Sequence, residues 1–280
     1  MQVWAVHYDP ALFSEDLYHA GLSVVDPESA TRVKKFFRRE DACRRCLFFP
    51  ILVVSDSLLG TLIGHLLPRM MLRDRGVLPQ AMTFGATEAR KPYITTPYLD
   101  PPVAFNISHD NGLVAMAFGP GTTNPPSFSI GIDVMKVRIP GRESFRSFVE
   151  TLTTLERRCL LSPEVSQDEA LRRFFWIWTI KEAYTKALGL GLGFDFSRLE
   201  FDVTSDIIRV DGAVSLGWQF KKFELVQGQD VYLGVVAEFT GGTETLITSE
   251  NEAHPWLIRY DAHLFVQRAV QELQVEEVRD

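Results

Sequence analysis

The sequence predicts an α+β protein built from two similar α/β lobes. The chain has 280 residues, more than a typical single domain, and 46% of them are hydrophobic, so it can bury a substantial core. Strand and helix patterns occur in similar proportion in the two halves, although no residue-level repeat is evident. Between the halves, the Gly-, Pro- and Thr-rich segment 119–127 is typical of a linker.

The N-terminal lobe, residues 1–122, is predicted to begin with a strand at Met1–His7. Helices are predicted over 27–45 and 58–75, the second with apolar residues spaced every four positions. Asn111-Gly112 lies between two apolar runs, and an Asn-Gly pair in this setting indicates a β-hairpin.

The C-terminal lobe, residues 123–245, restarts the pattern with a strand at Phe128–Val134 and a helix over 143–161. A long helix follows over 169–188 and is ended by glycines, as is common at helix C-termini. Four strands are predicted after it. Residues 246–280 form a more polar C-terminal extension that turns helical, and it is expected either to pack on the lobes or to extend from them.

Composition excludes several classes of protein. The formal net charge is −7 and the isoelectric point is about 5.5, which argues against nucleic-acid binding. Three cysteines are too few for a disulfide scaffold, and no secretion signal or membrane-spanning run is evident. We therefore expect a cytoplasmic protein that binds neither nucleic acid nor membranes.

Three segments carry the residues that indicate chemistry. Phe105–His109 ends a strand with Ser and His, and taken alone it could be a simple turn. Asp133 is an isolated acid in an apolar strand, and because burying an unpaired carboxylate is costly, it must meet a cation, a metal or hydrogen-bond donors. A structural salt bridge is the alternative for Asp133. Trp178, Glu182 and Lys186 are spaced every four residues and so share one helix face.

The Glu-Lys pair on this helix could be an ordinary pair on a solvated face, which would contribute little. That interpretation fits poorly, because the surrounding aromatic residues indicate a buried helix. Together the three segments supply two carboxylates, a histidine and two lysines. Mg²⁺ prefers carboxylates, water and phosphate oxygens, and a cationic shell suits a pyrophosphate. The residues therefore predict displacement at phosphorus rather than catalysis by a protein nucleophile.

These motifs resemble the 4′-phosphopantetheinyl transferases of the surfactin-synthetase-activating type, over most of the chain. The family signature is an Asn-x-Ser-His strand end, a Gly-Ile-Asp strand and a Trp-x-x-Lys-Glu-x-x-x-Lys helix, and all three occur in that order. Weaker matches are Glu40–Arg44, similar to Glu-Asp-Ala-x-Arg, and Arg90–Pro92, similar to Gly-Lys-Pro. The segment 186–194 most resembles the broad-specificity eukaryotic branch.

The resemblance implies two lobes related by a pseudo-two-fold axis and a monomeric enzyme. Its implied reaction moves the phosphopantetheine arm of coenzyme A to a serine of a carrier protein, with Mg²⁺ or Mn²⁺, and releases adenosine 3′,5′-bisphosphate. Implied partners are apo carrier domains of fatty-acid, polyketide or peptide synthases or of an aminoadipate reductase. The alternative from another class is a catalytically inactive coenzyme A-binding module, and the presence of both acids and Lys186 argues against it.

The resemblance also implies roles for the catalytic and metal-binding residues. Asp133 and Glu182 are expected to bind the metal, and Glu182, either directly or through a metal-bound water, is also the candidate base for the serine proton. His109 and Lys186 are expected to contact the pyrophosphate. Glu156 matches a further acidic position of the family.

Four other matching residues are expected to surround coenzyme A. Ser108 and Lys91 would lie close to the nucleotide. Arg44 would hold the 3′-phosphate, for which a guanidinium group is well suited. Lys181 would be either a second phosphate contact or a support contact.

Two features depart from the family pattern. Met135 stands where bacterial relatives often carry a second acid, and because a thioether is a poor Mg²⁺ ligand, water is expected in its place. Residues 45–60 separate Arg44 from the continuation at Thr61 and contain the apolar block 46–54, an aggregation hazard. They are either a genuine insertion or a short intron read through in frame. In the second case a chain lacking residues 45–60 would be more soluble and more active.

Overall fold

The computed structural model describes residues 1–31, 33, 56–121, 130–138, 149–190, 194–249 and 255–274. The strands are β1 Gln2–His7, β2 Phe84–Ala86, β3 Pro92–Ile94, β4 Val103–Asp110, β5 Leu113–Pro120, β6 Ile130–Lys136, β7 Leu199–Asp202, β8 Ile207–Val210, β9 Ala213–Val214, β10 Trp218–Gln227, β11 Asp230–Phe239, β12 Leu246–Ser249 and β13 Leu257–Asp261. The helices are α1 Glu15–Ser23, α2 Asp56–Asp74, α3 Thr154–Leu161, α4 Gln167–Leu188 and α5 Ala262–Leu273. None of these described helices is long and apolar enough to cross a membrane.

The first sheet has the order β13-β1-β5-β4, with β1 parallel to β13 and antiparallel to β5. The β4–β5 hairpin turns at Asn111 and Gly112, which both adopt positive φ, so the predicted hairpin is confirmed. Helices α1, α2 and α5 pack together beside this sheet. Apolar residues at one face of α2, such as Leu62, Leu66 and Met70, are completely buried in this core.

The second sheet has the order β12-β10-β11-β6, and α4 packs on β6 and β11. A small sheet, β7-β8-β9, lies near the end of α4. Each four-stranded sheet contains one parallel pair followed by two antiparallel pairs. The predicted mixed α/β fold is therefore confirmed. The two-fold relation and the lobe boundaries stay predictions.

The two sheets meet where the edge strands β4 and β6 lie side by side. From Asn106 to Asp110, every second side chain of β4 accepts a hydrogen bond from a backbone N–H of β6, because side chains alternate along a strand. The pairs are Asn106 with Ile132 at 2.9 Å, Ser108 with Val134 at 3.4 Å and Asp110 with Lys136 at 2.8 Å. This seam places Ser108 directly beside the strand that carries Asp133.

The described parts of the C-terminal extension, residues 246–249 and 255–274, pack on the two lobes, one of the two arrangements expected from sequence. It supplies β12 to the second sheet and β13 to the first. Between them, the carbonyl of Trp256 accepts a hydrogen bond from the N–H of Val3, and its ring contacts Phe223 edge-on. Helix α5 then buries Phe265 and Val266 in the core of the first lobe.

The candidate insert 45–60 falls mostly outside the described residues, as does Arg44. Its last five residues, 56–60, are the first turn of α2, where Leu58 and Leu59 are buried. Gly60 packs so closely that an added Cβ would lie 2.8 Å from the hydroxyl of Tyr8. Whether the segment is an insertion or a retained intron stays an open prediction, but its final turn is part of the helix.

His7 lies between the two sheets with both ring nitrogens buried and without a hydrogen-bond partner among the described residues. Its ring contacts Tyr232 of the second sheet at 5.8 Å. Burial, and then the charge of Arg259, lower the pKa of His7 to about 4, so the imidazole is neutral in the folded protein.

We expect this histidine to make the fold sensitive to acid. The unfolded chain binds a proton near pH 6.5, whereas folded His7 does so only near pH 4, so stability falls as the pH drops below 6.5. Between pH 8 and pH 5 the loss from this residue is roughly 2 kcal/mol. His7→Phe should lose correspondingly less, measured by urea unfolding at both pH values. His19→Gln, at an exposed position, is the control, and equal losses in wild type and His7→Phe would contradict the expectation.

Candidate functional site

The three predicted chemical segments converge on Asp133. This aspartate lies in β6 and is 4% exposed. Its Oδ1 accepts hydrogen bonds from the Ser108 hydroxyl on β4 at 2.9 Å and from the Lys186 ammonium on α4 at 2.6 Å. Lys186 Nζ also donates to Ser108 Oγ at 3.0 Å. Residues from three separate elements therefore form one connected cluster.

The second carboxylate oxygen of Asp133, Oδ2, is buried and has no hydrogen-bond partner among the described residues. Burial raises the pKa of this carboxyl group, and the Lys186 charge and the Ser108 hydrogen bond only oppose that rise. A buried oxygen of this kind is costly unless something else binds it. The cluster is therefore short of positive charge at Oδ2.

Glu182 adds a second carboxylate, one helical turn before Lys186 on α4. Its side chain is half-buried, and burial raises its pKa, followed by the negative charge of Asp133. Because two neighbouring carboxylates repel each other, ionising both costs free energy, and a cation bound by both would stabilise their charged forms. Within the described ranges, no group of three or more His, Cys, Asp or Glu side chains is placed to hold a metal.

Met135, the predicted departure from the bacterial pattern, packs against the core of the second lobe. It pairs with Leu233 across the sheet. Its thioether therefore contributes to packing, and it would be a poor ligand for a hard cation such as Mg²⁺.

His109 lines a groove of about 1090 Å³ that lies beside α2 and the β2–β3 hairpin. Ligand pockets are commonly of this size. Burial, and then the charge of Lys186, lower the pKa of His109, which favours a neutral imidazole. The groove thus reaches the histidine that is adjacent in sequence to Ser108 of the cluster.

Arg69 also lines this groove and was missed from the sequence. Its guanidinium pairs with Asp26, donates to the carbonyl of His65 at 2.6 Å and lies 4.8 Å from the ring centre of Phe84. The signal that could have identified it is a single arginine on the apolar face of a helix. Because these contacts fix Arg69, it shapes the groove wall.

The phosphate contact predicted for Lys181 is wrong, and the support contact is the role that the structure shows. Its ammonium is completely buried and donates to Glu156 at 2.8 Å and to the carbonyl of Phe196 at 2.9 Å. Glu156 in turn accepts from the N–H groups of Phe201 and Thr153. This satisfied ion pair lies beneath α4, so neither residue can reach a ligand.

The expectation that Ser108 and Lys91 lie close to the nucleotide stays a prediction, and in the structure the polar atoms of both side chains bind protein groups. Ser108 is buried, and its hydroxyl serves Asp133 and Lys186. Lys91 is 7% exposed, and its ammonium points into the protein, although its neighbours Arg90 and Pro92 line the groove. Both side chains therefore act on the protein side of the site.

Comparison with known proteins is consistent with this geometry. Residues 129–235 match the model of the 4′-phosphopantetheinyl transferase superfamily. The chain is 47% identical over 281 residues to the 4′-phosphopantetheinyl transferase pptA of Paxillus involutus, covering 98% of this chain and 100% of that protein. It is 28% identical over 252 residues to the L-aminoadipate-semialdehyde dehydrogenase-phosphopantetheinyl transferase of Mus musculus, covering 83% and 74% of the two chains.

A bacterial relative extends the match. The chain is 29% identical over 217 residues to the 4′-phosphopantetheinyl transferase Sfp of Bacillus subtilis, covering 77% of this chain and 80% of that protein. The chain therefore belongs to the 4′-phosphopantetheinyl transferase superfamily and is a phosphopantetheine-transferring enzyme.

Proposed function

We propose that this enzyme takes the phosphopantetheine arm from coenzyme A and attaches it to a serine of a carrier protein, with a divalent cation at Asp133 and Glu182. The observation that supports this most is the unpartnered, buried Oδ2 of Asp133 inside the Ser108–Lys186 cluster. The groove lined by His109 gives a place for the nucleotide end of coenzyme A.

The residues at this site fit Mg²⁺, with Mn²⁺ as an alternative. Asp133 and Glu182 would supply hard oxygen ligands, and because burial raises the pKa of each carboxyl group despite the charge of Lys186, a bound cation would favour their ionised forms. When bound, the cation would offset negative charge on the pyrophosphate and on the departing bisphosphate. Among the residues that the structure describes, no larger group of carboxylates accompanies these two, so water and phosphate oxygens would complete the shell of the cation.

Each remaining residue has a role that follows from its position. Lys186 is 29% exposed at its side chain, so its ammonium can contact both Asp133 and a phosphate oxygen. His109 lines the groove, and its imidazole N–H can donate to the pyrophosphate. Glu182, on the same helix face as Lys186, would accept the serine proton either directly or through a water bound to the cation.

The reaction then forms one bond and breaks one. The carrier serine oxygen attacks the β-phosphorus of coenzyme A while Glu182 accepts the hydroxyl proton. The bond from that phosphorus to the bridging oxygen breaks, and adenosine 3′,5′-bisphosphate leaves. Such reactions depend mainly on positioning and charge stabilisation, which the Lys186–Asp133 cluster supplies.

The carrier substrate is proposed from the relatives. The name of the mouse relative links it to L-aminoadipate-semialdehyde dehydrogenase. We extend that link to this chain and propose the carrier domain of an aminoadipate reductase as one substrate. Carrier domains of fatty-acid, polyketide or peptide synthases are the others.

Intact-protein mass spectrometry tests the proposed function. The purified enzyme, coenzyme A and Mg²⁺ are incubated with an apo acyl carrier protein, and we expect the carrier to gain the mass of one phosphopantetheine group. A carrier with its serine changed to alanine, and a reaction with excess EDTA, are the controls. No gain with Mg²⁺ would refute coenzyme A as donor to this carrier. An equal gain in EDTA would refute the metal dependence.

A further inference from the structure

The position of Lys186 depends on how α4 crosses β6. At Gly131, an added Cβ would lie 2.1 Å from the carbonyl oxygen of Ala183 and 2.3 Å from the nitrogen of Ala187. The helix backbone therefore rests directly on the strand backbone. Asp133 lies two residues further along β6, so a small shift at this crossing changes the approach of Lys186 to Asp133.

One side chain from the other lobe binds both elements at this crossing. Lys91 Nζ donates to the carbonyl oxygens of Ile130 at 2.9 Å, Lys186 at 2.7 Å and Ala187 at 3.1 Å. Ile130 begins β6, and the other two carbonyls are in the last turn of α4, where helix carbonyls lack partners within the helix. An ammonium has three N–H donors, enough to bind all three of these carbonyl oxygens at once.

The end of α4 packs against the side chain of Lys91. Gly189 ends the helix with a φ of 69°, and an added Cβ there would lie 3.4 Å from the Lys91 side chain. The Lys91 backbone is itself fixed in a tight turn, since its N–H donates to Thr87 Oγ1 at 3.0 Å and its carbonyl accepts from the N–H of Thr87 at 2.9 Å. Hydrogen bonds therefore hold both the backbone and the ammonium of Lys91.

Burying an ammonium here is costly. Lys91 is 7% exposed, and burial lowers its pKa to about 7. An apolar side chain of similar length would fill the space at a lower desolvation cost. What the apolar side chain could not do is bind three carbonyls from two elements at once. The buried charge of Lys91 is thus best explained by the hydrogen bonds through which it connects β6 to α4.

We propose that Lys91 is a positioning residue for the transfer reaction: its ammonium fixes the last turn of α4 on β6 and so sets Lys186 against Asp133, without touching the ligand. This inference rests on the proposed function. It also links the groove to the cluster, because Arg90 and Pro92 on either side of Lys91 line the groove.

Lys91→Met tests the proposal by separating kcat from ligand binding. We expect kcat to fall by about 100-fold, the scale of a misplacement of about 1 Å. The Kd of adenosine 3′,5′-bisphosphate, measured by calorimetry, should change by less than about threefold. Arg90→Met, on the same hairpin but facing the groove, is the matched variant, and it should weaken bisphosphate binding more than it lowers kcat.

Several outcomes would overturn the proposal. Bisphosphate binding that weakens as much as kcat would make Lys91 a ligand contact. Unchanged kcat with a lower melting temperature would make it a purely structural residue. Should Lys91→Met fail to fold, Lys91→Gln, which keeps a neutral donor, must show the same kcat-specific loss; failure of both to fold would assign Lys91 to stability alone. If the wild-type enzyme transferred nothing from coenzyme A, the proposed function would be refuted. The calorimetric measurement of bisphosphate binding does not require turnover, so the two failures can be told apart.

Discussion

Asp133→Asn is expected to lower the transfer rate by about 1,000-fold or more while the protein stays folded. Asparagine keeps the shape of the side chain but removes the charge that faces Lys186 and the unpartnered oxygen that we assign to the metal. Losing a preorganised charged group at a reacting centre commonly has an effect of this size. Because burial raises the pKa of Asp133, the neutral amide should cost little stability. Initial rates at saturating coenzyme A and a thermal melt measure the two effects.

Asp230→Asn is the matched control for this variant. Asp230 pairs with Lys136 at 2.6 Å at the surface of the same sheet, and it contacts no residue of the cluster in the described part of the chain. It should keep near-normal turnover. If Asp133→Asn kept more than about a tenth of the wild-type rate, its assigned role would be refuted.

Gly131→Ala is expected to damage both the fold and the activity. Its Cβ would lie 2.1 Å from the carbonyl oxygen of Ala183, and this contact is with backbone, so no side-chain rotation can relieve it. Helix α4 would have to move away from β6. We expect a loss of about 3 kcal/mol or more in the free energy of unfolding, at the upper end for overpacked cores. In the fraction that folds, transfer should fall by about 100-fold because Lys186 moves with the helix.

Gly64→Ala in α2 is the control for this substitution, with stability as its readout. Among the described residues, an added Cβ there meets Ile107 alone, at 3.9 Å. Alanine should be neutral or should raise stability by up to about 1 kcal/mol, since it favours helix more than glycine does. Urea unfolding compares the two variants. Equal stabilities for Gly131→Ala and Gly64→Ala would show that α4 does not rest on β6 as described.

The sequence was sufficient to predict which residues form the central cluster. Asp133 is an acid in an apolar strand and was therefore expected to need a compensating partner, and in the structure Lys186 is the cation that pairs with it. The four-residue spacing of Glu182 and Lys186 placed them on one helix face, where Lys186 binds Asp133, and where burial and then the charge of Asp133 raise the pKa of Glu182. These conclusions depended on local periodicity and on the cost of burial, both of which can be read from short segments.

The directions of the other lysines could not be predicted in the same way. Lys91 binds the carbonyl of Lys186, 95 residues further along the chain, whereas the resemblance to the family implied only that Lys91 lies close to the nucleotide. Lys181 lies beside Glu182 but turns towards Glu156 on another helix. The pairing of β12 and β13 depends equally on distant partners. Tertiary contacts decided each case.

Binding of Mn²⁺ to the wild-type enzyme and to Asp133→Asn, with coenzyme A present, tests the central claim most directly. Electron paramagnetic resonance counts free Mn²⁺ and needs no turnover. We expect the wild type to bind a single Mn²⁺, and Asp133→Asn and Glu182→Gln to bind it at least about tenfold more weakly, since each loses a charged ligand. Wild-type affinity in both variants would contradict the assignment of the cation to these two carboxylates.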